Sequence, residues 1–305
     1  MAAIDTLHGF AYFGNVGFFD SKPSVVVKVS LSTFSVVGAL TTSSNDISSL
    51  LVDPAKGFLY VGDKNSGNVT KVDLSTFTIV GQLFVAPGLE LGVIDTIHGF
   101  AYYGNQGNEI FKVRLSDFSL AGTLFHLPIF FSITAAVDPA GGFAYFGQLS
   151  NRSPQVVQIR LSDFTVAGTL SLKGASDESR EPSTLLVDPV NEFLYVGTLS
   201  SPGLVFKIHL PDLTQVGLLK LRRGQVDPLG SVIDTSRGFA YFVTGTSSNT
   251  IVKISLSTFT EVGSLQLPSG DSFDFFADII DTTAGFAYFG TYSSPSPAII
   301  VKIGL

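Results

Sequence analysis

Short apolar stretches alternate with polar turn clusters along the whole chain, and within each stretch the hydrophobic period is two rather than 3.6. The residues are Val, Ile, Phe, Tyr and Thr, which fit a pleated, half-buried surface, so the pattern predicts short strands separated by turns and no helix. One unit is written seven times. Its leading aspartates are Asp5, Asp53, Asp95, Asp138, Asp188, Asp234 and Asp281, at spacings of 48, 42, 43, 50, 46 and 47 residues. Each aspartate is followed by an aromatic run ending in Tyr12, Tyr60, Tyr102, Tyr145, Tyr195, Tyr241 or Tyr288. A Gly stands four positions after the Asp in six copies, with Glu192 in the exception. Strand A should end at the Asp, and strand B is the Gly-Phe-Ala-Tyr-Phe-Gly segment. Strand C is the Val-Lys-Ile-x-Leu segment, and strand D the Thr-x-Val-Gly-x-Leu segment.

Four antiparallel strands per unit, seven times over, predict an all-β, seven-bladed β-propeller; a β-solenoid fits less well because its coils are usually shorter. The repeats begin near residues 1, 48, 90, 132, 183, 229 and 275, within a single propeller domain spanning 1–305. Strand B is apolar at consecutive positions, as expected where both faces of a blade are covered. Leu305 aligns with Leu31, so the last blade lacks one strand in this chain, and Met1 already aligns within strand A. Three readings follow: a three-stranded blade, a piece of a longer repeat protein, or a strand supplied by another molecule.

The Asp-Pro-x-x-Gly or Asp-Thr-x-x-Gly segments have the composition of tight turns, with the Asp accepting from backbone amides ahead of it. A calcium-binding ring of seven carboxylates is the alternative, but the spacing lacks a compact oxygen-ligand loop. The strand C lysines Lys28, Lys71, Lys112, Lys207, Lys253 and Lys302, with Gln158 in the fourth copy, lie on a strand covered on both faces. Each must reach a motif Asp or a backbone carbonyl, or snorkel to a rim. His8 and His98 belong to A-to-B turns. His126 and His209 stand alone in their copies, with no His or carboxylate at metal-ligand spacing.

The net charge of −7, from 18 Lys plus Arg against 25 Asp plus Glu, opposes nucleic-acid binding. With no Cys there is no disulfide framework, thiolate metal site or Cys nucleophile. Despite a mean hydropathy of +0.39, Gly, Pro, Asp or Ser breaks every apolar stretch short of a membrane span. Met1 is followed by patterned sequence with no basic stretch or apolar core, which reads as no signal peptide. Hydrolase, phosphate-loop and zinc-protease motifs do not occur. No catalytic residue, metal site or cofactor is therefore assigned.

The A-to-B and C-to-D turns hardly change between copies, whereas the B-to-C and D-to-A loops differ in length and chemistry. These variable loops open on one face, which is the binding-site candidate. Its residues are Phe18, Phe19, Glu90, His126, Phe130, Arg152, Asp177, Arg180, Arg222, Arg223, Asp271, Asp274 and Tyr292. Two glycosylation sequons begin at Asn68 and Asn151, both expected in B-to-C loops.

Phe58-Leu59-Tyr60-Val61-Gly62 after an Asp/Pro/Gly turn, and Val69-Thr70-Lys71-Val72-Asp73-Leu74, resemble the repeats of YVTN-type, surface-layer-like β-propeller proteins. Other copies read Gly-Phe-Ala-Tyr-Phe-Gly and carry Ser, Arg or His in place of the strand C Asp. The resemblance covers essentially the whole chain and implies an extracellular or cell-surface protein. It favours a non-enzymatic structural or binding module, partnered by a surface protein, a glycan or, through strand complementation into a filament, itself. The alternatives are a lyase- or glycosidase-type propeller enzyme at the mouth of the central channel, using Glu90, Asp177 and Asp274, and a glycan or protein recognition platform.

Overall fold

The computed structural model describes residues 1–14, 23–43, 46–125, 130–150, 153–174, 181–245, 250–267, 277–290 and 299–305. They form seven antiparallel sheets and no helix. Blade 1 holds β1 (Ala2–Asp5), β2 (Phe10–Gly14), β3 (Val25–Ser30) and β4 (Ser35–Thr41); blade 2 holds β5 (Ile47–Asp53), β6 (Phe58–Asp63), β7 (Asn68–Asp73) and β8 (Thr78–Phe84). Blade 3 holds β9 (Leu89–Asp95), β10 (Phe100–Asn105), β11 (Ile110–Arg114) and β12 (Ser119–Leu124). Blade 4 holds β13 (Phe130–Asp138), β14 (Phe143–Ser150), β15 (Ser153–Arg160) and β16 (Thr165–Ser171); blade 5 holds β17 (Pro182–Asp188), β18 (Phe193–Thr198), β19 (Leu204–His209) and β20 (Thr214–Lys220). Blade 6 holds β21 (Pro228–Asp234), β22 (Phe239–Thr244), β23 (Thr250–Ser255) and β24 (Thr260–Gln266), and the three-stranded blade 7 holds β25 (Asp278–Asp281), β26 (Phe286–Gly290) and β27 (Ile300–Gly304). The architecture is a seven-bladed β-propeller. The chain divides into two compact units, Met1–Leu127 with blades 1 to 3 and Pro128–Leu305 with blades 4 to 7.

Within each unit the A strands touch one another, β1 with β5 and β5 with β9 in the first, and β13, β17, β21 and β25 in succession in the second. Strand A is thus the inner strand. Strand D is the outer one and leaves Val37, Val80, Val216 and Val262 exposed. The core lies between blades: Tyr12 and Val26 of blade 1 pack with Leu50, Leu59 and Val61 of blade 2, and Tyr195 and Val205 of blade 5 with Ala240, Phe242 and Val252 of blade 6. Burying each such Tyr or Phe contributes about 2 to 3 kcal/mol, which neither blade could gain alone.

All seven motif aspartates cap their turn. One carboxylate oxygen accepts the N–H three residues ahead, at His8, Lys56, His98, Gly141, Asn191, Arg237 and Ala284, over 2.8–3.1 Å. The turn then passes through a left-handed residue, Gly9 at φ 76° and its five equivalents, while Glu192 takes the same region at φ 60°.

A second left-handed residue was not legible in the sequence. The C-to-D turns put Phe34, Phe77, Phe118, Phe164, Leu213 and Phe259 at φ between 49° and 54°, where Gly or Asn is the usual choice. The unusual backbone aims the Phe77, Phe118 and Phe259 rings at the preceding blade. Phe77 lies 6.0 Å from Tyr12, Phe118 5.8 Å from Tyr60, and Phe259 5.9 Å from Tyr195, measured between ring centroids. Opposite each ring is the strand D glycine: a Cβ on Gly38, Gly81 or Gly217 would meet Phe77, Phe118 or Phe259 at 3.2, 3.4 or 2.9 Å. The same glycine pairs with the strand C Lys, and a β-bulge follows that Lys in blades 1, 2, 3, 5 and 6.

Candidate functional site

In six of the seven blades the repeated polar residues converge at one point. The strand C ammonium lies over the strand B Phe ring, 4.0 Å from its centroid for Lys28 on Phe10, 3.8 Å for Lys71 on Phe58 and 3.9 Å for Lys207 on Phe193. Lys112, Lys253 and Lys302 sit likewise over Phe100, Phe239 and Phe286. Lys28 also donates to the carbonyl of Leu74 over 3.0 Å, and Lys207 to that of Leu256 over 3.2 Å, each in the following blade. The expected carbonyl partner is found, together with a cation–π contact that the spacing alone did not indicate. Burial lowers the Lys28 and Lys207 ammonium pKa, opposed by Asp5 and Asp188. Burial, reinforced by Asp53, raises the Tyr60 phenol to about 12, and burial reinforced by Asp5, Asp95 and Asp188 raises the Tyr12, Tyr102 and Tyr195 phenols respectively. These clusters join neighbouring blades.

The other end of each blade carries the variable segments. Of the candidate residues there, Glu90, Arg222 and Arg223 are described. Phe18, Phe19, His126, Arg152, Asp177, Arg180, Asp271, Asp274, Tyr292 and the sequon residue Asn151 lie outside the described residues, as does the side chain of Phe130. Three expected loop positions prove to be strand. Glu90 lies inside β9 because Leu89 and Leu91 on either side are buried and continue the period of two. Phe130 opens β13, paired with Leu149, and Asn68 opens β7, paired with Phe84.

In blades 2 and 3 this end holds a closed polar network. Glu90 pairs with Lys64 at 2.6 Å and accepts from Gln106, while Asp63 accepts the N–H groups of Asp46 and Ser66. Asn105 donates to Glu109 over 2.8 Å. Burial, reinforced by Asp63 and Glu90, raises the Asp46 carboxyl pKa against the lowering effect of Lys64. Glu90 is thereby committed to a structural ion pair.

In blades 5 and 6 the same end opens into a cleft of about 480 Å³ lined by Arg222, Arg223, Gly224, Gln225, Thr250, Ser264 and Gln266. The two arginines were legible as divergent loop residues, whereas Thr250, Ser264 and Gln266 come from strands. The available signal was Glu261. Where β4, β8, β12 and β16 carry Val36, Ile79, Leu120 and Val166, β20 and β24 carry Gln215 and Glu261. Each of these two polar residues ties down the segment after the preceding strand D. Gln215 accepts the Lys173 N–H over 2.7 Å and donates to its carbonyl over 2.9 Å. Glu261 holds Arg222 at 3.2 Å and accepts from Gln225 at 3.2 Å.

Among the described residues no group of three or more His, Asp or Glu is arranged to hold a metal ion. His209 faces Asp212 at 2.8 Å within its own turn, a pair rather than a ligand set. No family model matches the sequence, and no curated protein matches it. Among solved structures the fold is similar to Kuenenia stuttgartiensis hydrazine synthase, with a TM-score of 0.83 at 14% identity, covering 97% of this chain and 92% of that one. It is also similar to the Cps50 (Swd1) β-propeller domain of Myceliophteria thermophila, with a TM-score of 0.75 at 12% identity, covering 100% and 96%. At these identities the likeness establishes the propeller fold alone.

Proposed function

We propose that this chain is a non-catalytic recognition module, of the surface-layer-like kind its repeats resemble, that works outside the cell or on its surface. It takes a glycan or protein partner at the variable ends of its blades. The observation that carries this reading is the use made of the repeated charges. Every motif Asp is spent on a turn amide, and the strand C lysines on aromatic rings and neighbouring carbonyls. What remains to distinguish one blade from another is the opposite end, where rigid sheets carry divergent segments and an open polar cleft.

The test is a glycan and surface-protein array read beside a turnover assay on glycoside and uronide substrates. Binding without turnover is expected. It should be lost in a variable-end panel (K64A, E90Q, Q106A, R222Q, Q266A) and kept in a turn-end panel (H8Q, K56Q, H98Q). Turnover that survives purification and disappears with one variable-end substitution would overturn the reading.

Assembly by strand complementation is a second proposal. It is favoured by β27, which among the described residues lacks the outer neighbour that its counterparts β3, β7, β11, β15, β19 and β23 have, leaving an edge of the kind that templates strand addition. Light scattering across a concentration series checks it: growth into regular filaments supports it, and a constant 32.4 kDa particle refutes it.

A further inference from the structure

We infer that the cleft between blades 5 and 6 is an oxyanion subsite for an acidic saccharide, with the Arg223 guanidinium as the selecting charge. This rests on the recognition reading above and assigns it a place and a ligand class. The inference starts from four consecutive residues, Arg222-Arg223-Gly224-Gln225, between β20 and β21. The Gln225 N–H donates to the Arg222 carbonyl over 3.0 Å, and Gly224 alone of the two central residues has positive φ, at 93°. That combination is a type II turn, which requires a residue tolerant of the left-handed region at its third position. A Cβ on Gly224 would have nothing within 4 Å, so glycine is needed for the backbone angle and not for space.

The turn is held from beneath. The Gln225 side chain is buried, accepts the Arg222 N–H over 2.9 Å and donates to Glu261 over 3.2 Å. Glu261, whose side chain is 8% exposed, in turn takes the Arg222 guanidinium. The charge of Arg222 is therefore balanced within the protein. Arg223 is exposed; among the described residues it meets no carboxylate or carbonyl, and the N–H groups of Arg223 and Gly224 have no acceptor there either. Among the described residues, one uncompensated cation thus stands beside two backbone donors on a braced turn.

The opposite wall fixes the rest of the ligand's chemistry. Ser264 brings a hydroxyl, and Thr250 donates to Gln266 over 3.0 Å, orienting that amide. No apolar side chain lines the cleft, so a lipid or an aromatic ligand would desolvate these polar groups without return. A polyhydroxylated molecule replaces their water contacts one for one, and a carboxylate or sulfate matches the guanidinium fork. A cleft with one unbalanced cation among its described residues, on a chain of net charge −7, disfavours polyanions.

Isothermal titration with a uronic-acid disaccharide, its carboxyl-reduced neutral counterpart and an acidic hexapeptide tests the assignment. The uronate should bind at least about tenfold more tightly than the neutral sugar. R223Q should remove that preference with thermal unfolding unchanged, R223K should restore only part of it, and S264A should weaken the uronate and the neutral sugar alike by a few-fold. Uronate affinity unchanged by R223Q, equal binding of the two sugars, binding of the peptide alone, or no saccharide binding would each overturn the inference. The broader reading falls separately: it fails if turnover disappears with one variable-end substitution, or if the whole variable-end panel leaves every array ligand bound.

Discussion

The two ends of a blade solve different problems with the same strands. At the A-to-B end, seven aspartates make the same bond to the same amide, and the side chains that vary there, His8, Lys56, Asn191 and Arg237, leave the turn unchanged. At the opposite end, blades 2 and 3 hold a network around Glu90 and Lys64, whereas blades 5 and 6 leave a cleft with an arginine that, among the described residues, is unbalanced. Repetition marks what the fold requires of every blade, and divergence marks what it does not. A charge seen seven times is therefore weaker evidence of chemistry than one seen once.

The sharpest way to break this contrast is to attack the joint between blades. Phe259→Ala removes a ring packed on Tyr195, Gly217 and the Lys207 stem, and should cost roughly 2 to 4 kcal/mol, read as a lower urea midpoint with the variable-end cleft still formed. Gly217→Ala and Gly263→Ala form an internal control next in size. The first drives a methyl to 2.9 Å from the Phe259 ring and should cost about 1 to 3 kcal/mol. The second has nothing within 4 Å and should be neutral or stabilising by about 0.5 kcal/mol.

Asp278 sharpens the comparison by pH. Its carboxyl packs on Gly230 of β21 and accepts the Ser231 N–H, and burial raises its pKa to about 6. Between its unfolded value near 4 and about 6 the folded state holds the extra proton, so this group makes stability fall as pH rises through that window, with the penalty complete above it. Asp278→Asn should flatten that slope and leave the protein on the order of 1 to 2 kcal/mol more stable than the parent at pH 7.5, measured by denaturant unfolding at several pH values. The smallest effect is expected from Arg223→Gln, within about 0.5 kcal/mol in thermal unfolding, because its side chain is exposed and makes no ion pair among the described residues.

The blades, their strand order and the turn role of the aspartates were legible because a period of two and a repeat of 42 to 50 residues are local signals. The joints were not. Phe at a left-handed position contradicts turn propensity, and its reason, the Tyr and Gly of the preceding blade, lies 65 residues away for Phe77 and Tyr12. Sequence reading found Arg222 and Arg223 because loops that differ between copies stand out. It missed Thr250, Ser264 and Gln266 because they sit in well-formed strands, and it put Glu90 in a loop because its polarity hid the alternation of Leu89 and Leu91.

The left-handed phenylalanine also bears on how such a chain changes length over generations. The joints made by Phe77, Phe118 and Phe259 are each written half in one repeat and half in the next, Tyr and Gly in the first and Phe in the second. An in-frame duplication or loss of one repeat, wherever the break falls within it, regenerates a complete joint at the new seam. Blade number is then free to drift by recombination without compensating substitutions, while the unrepeated cleft between blades 5 and 6 would survive only in descendants that keep those two neighbours in order.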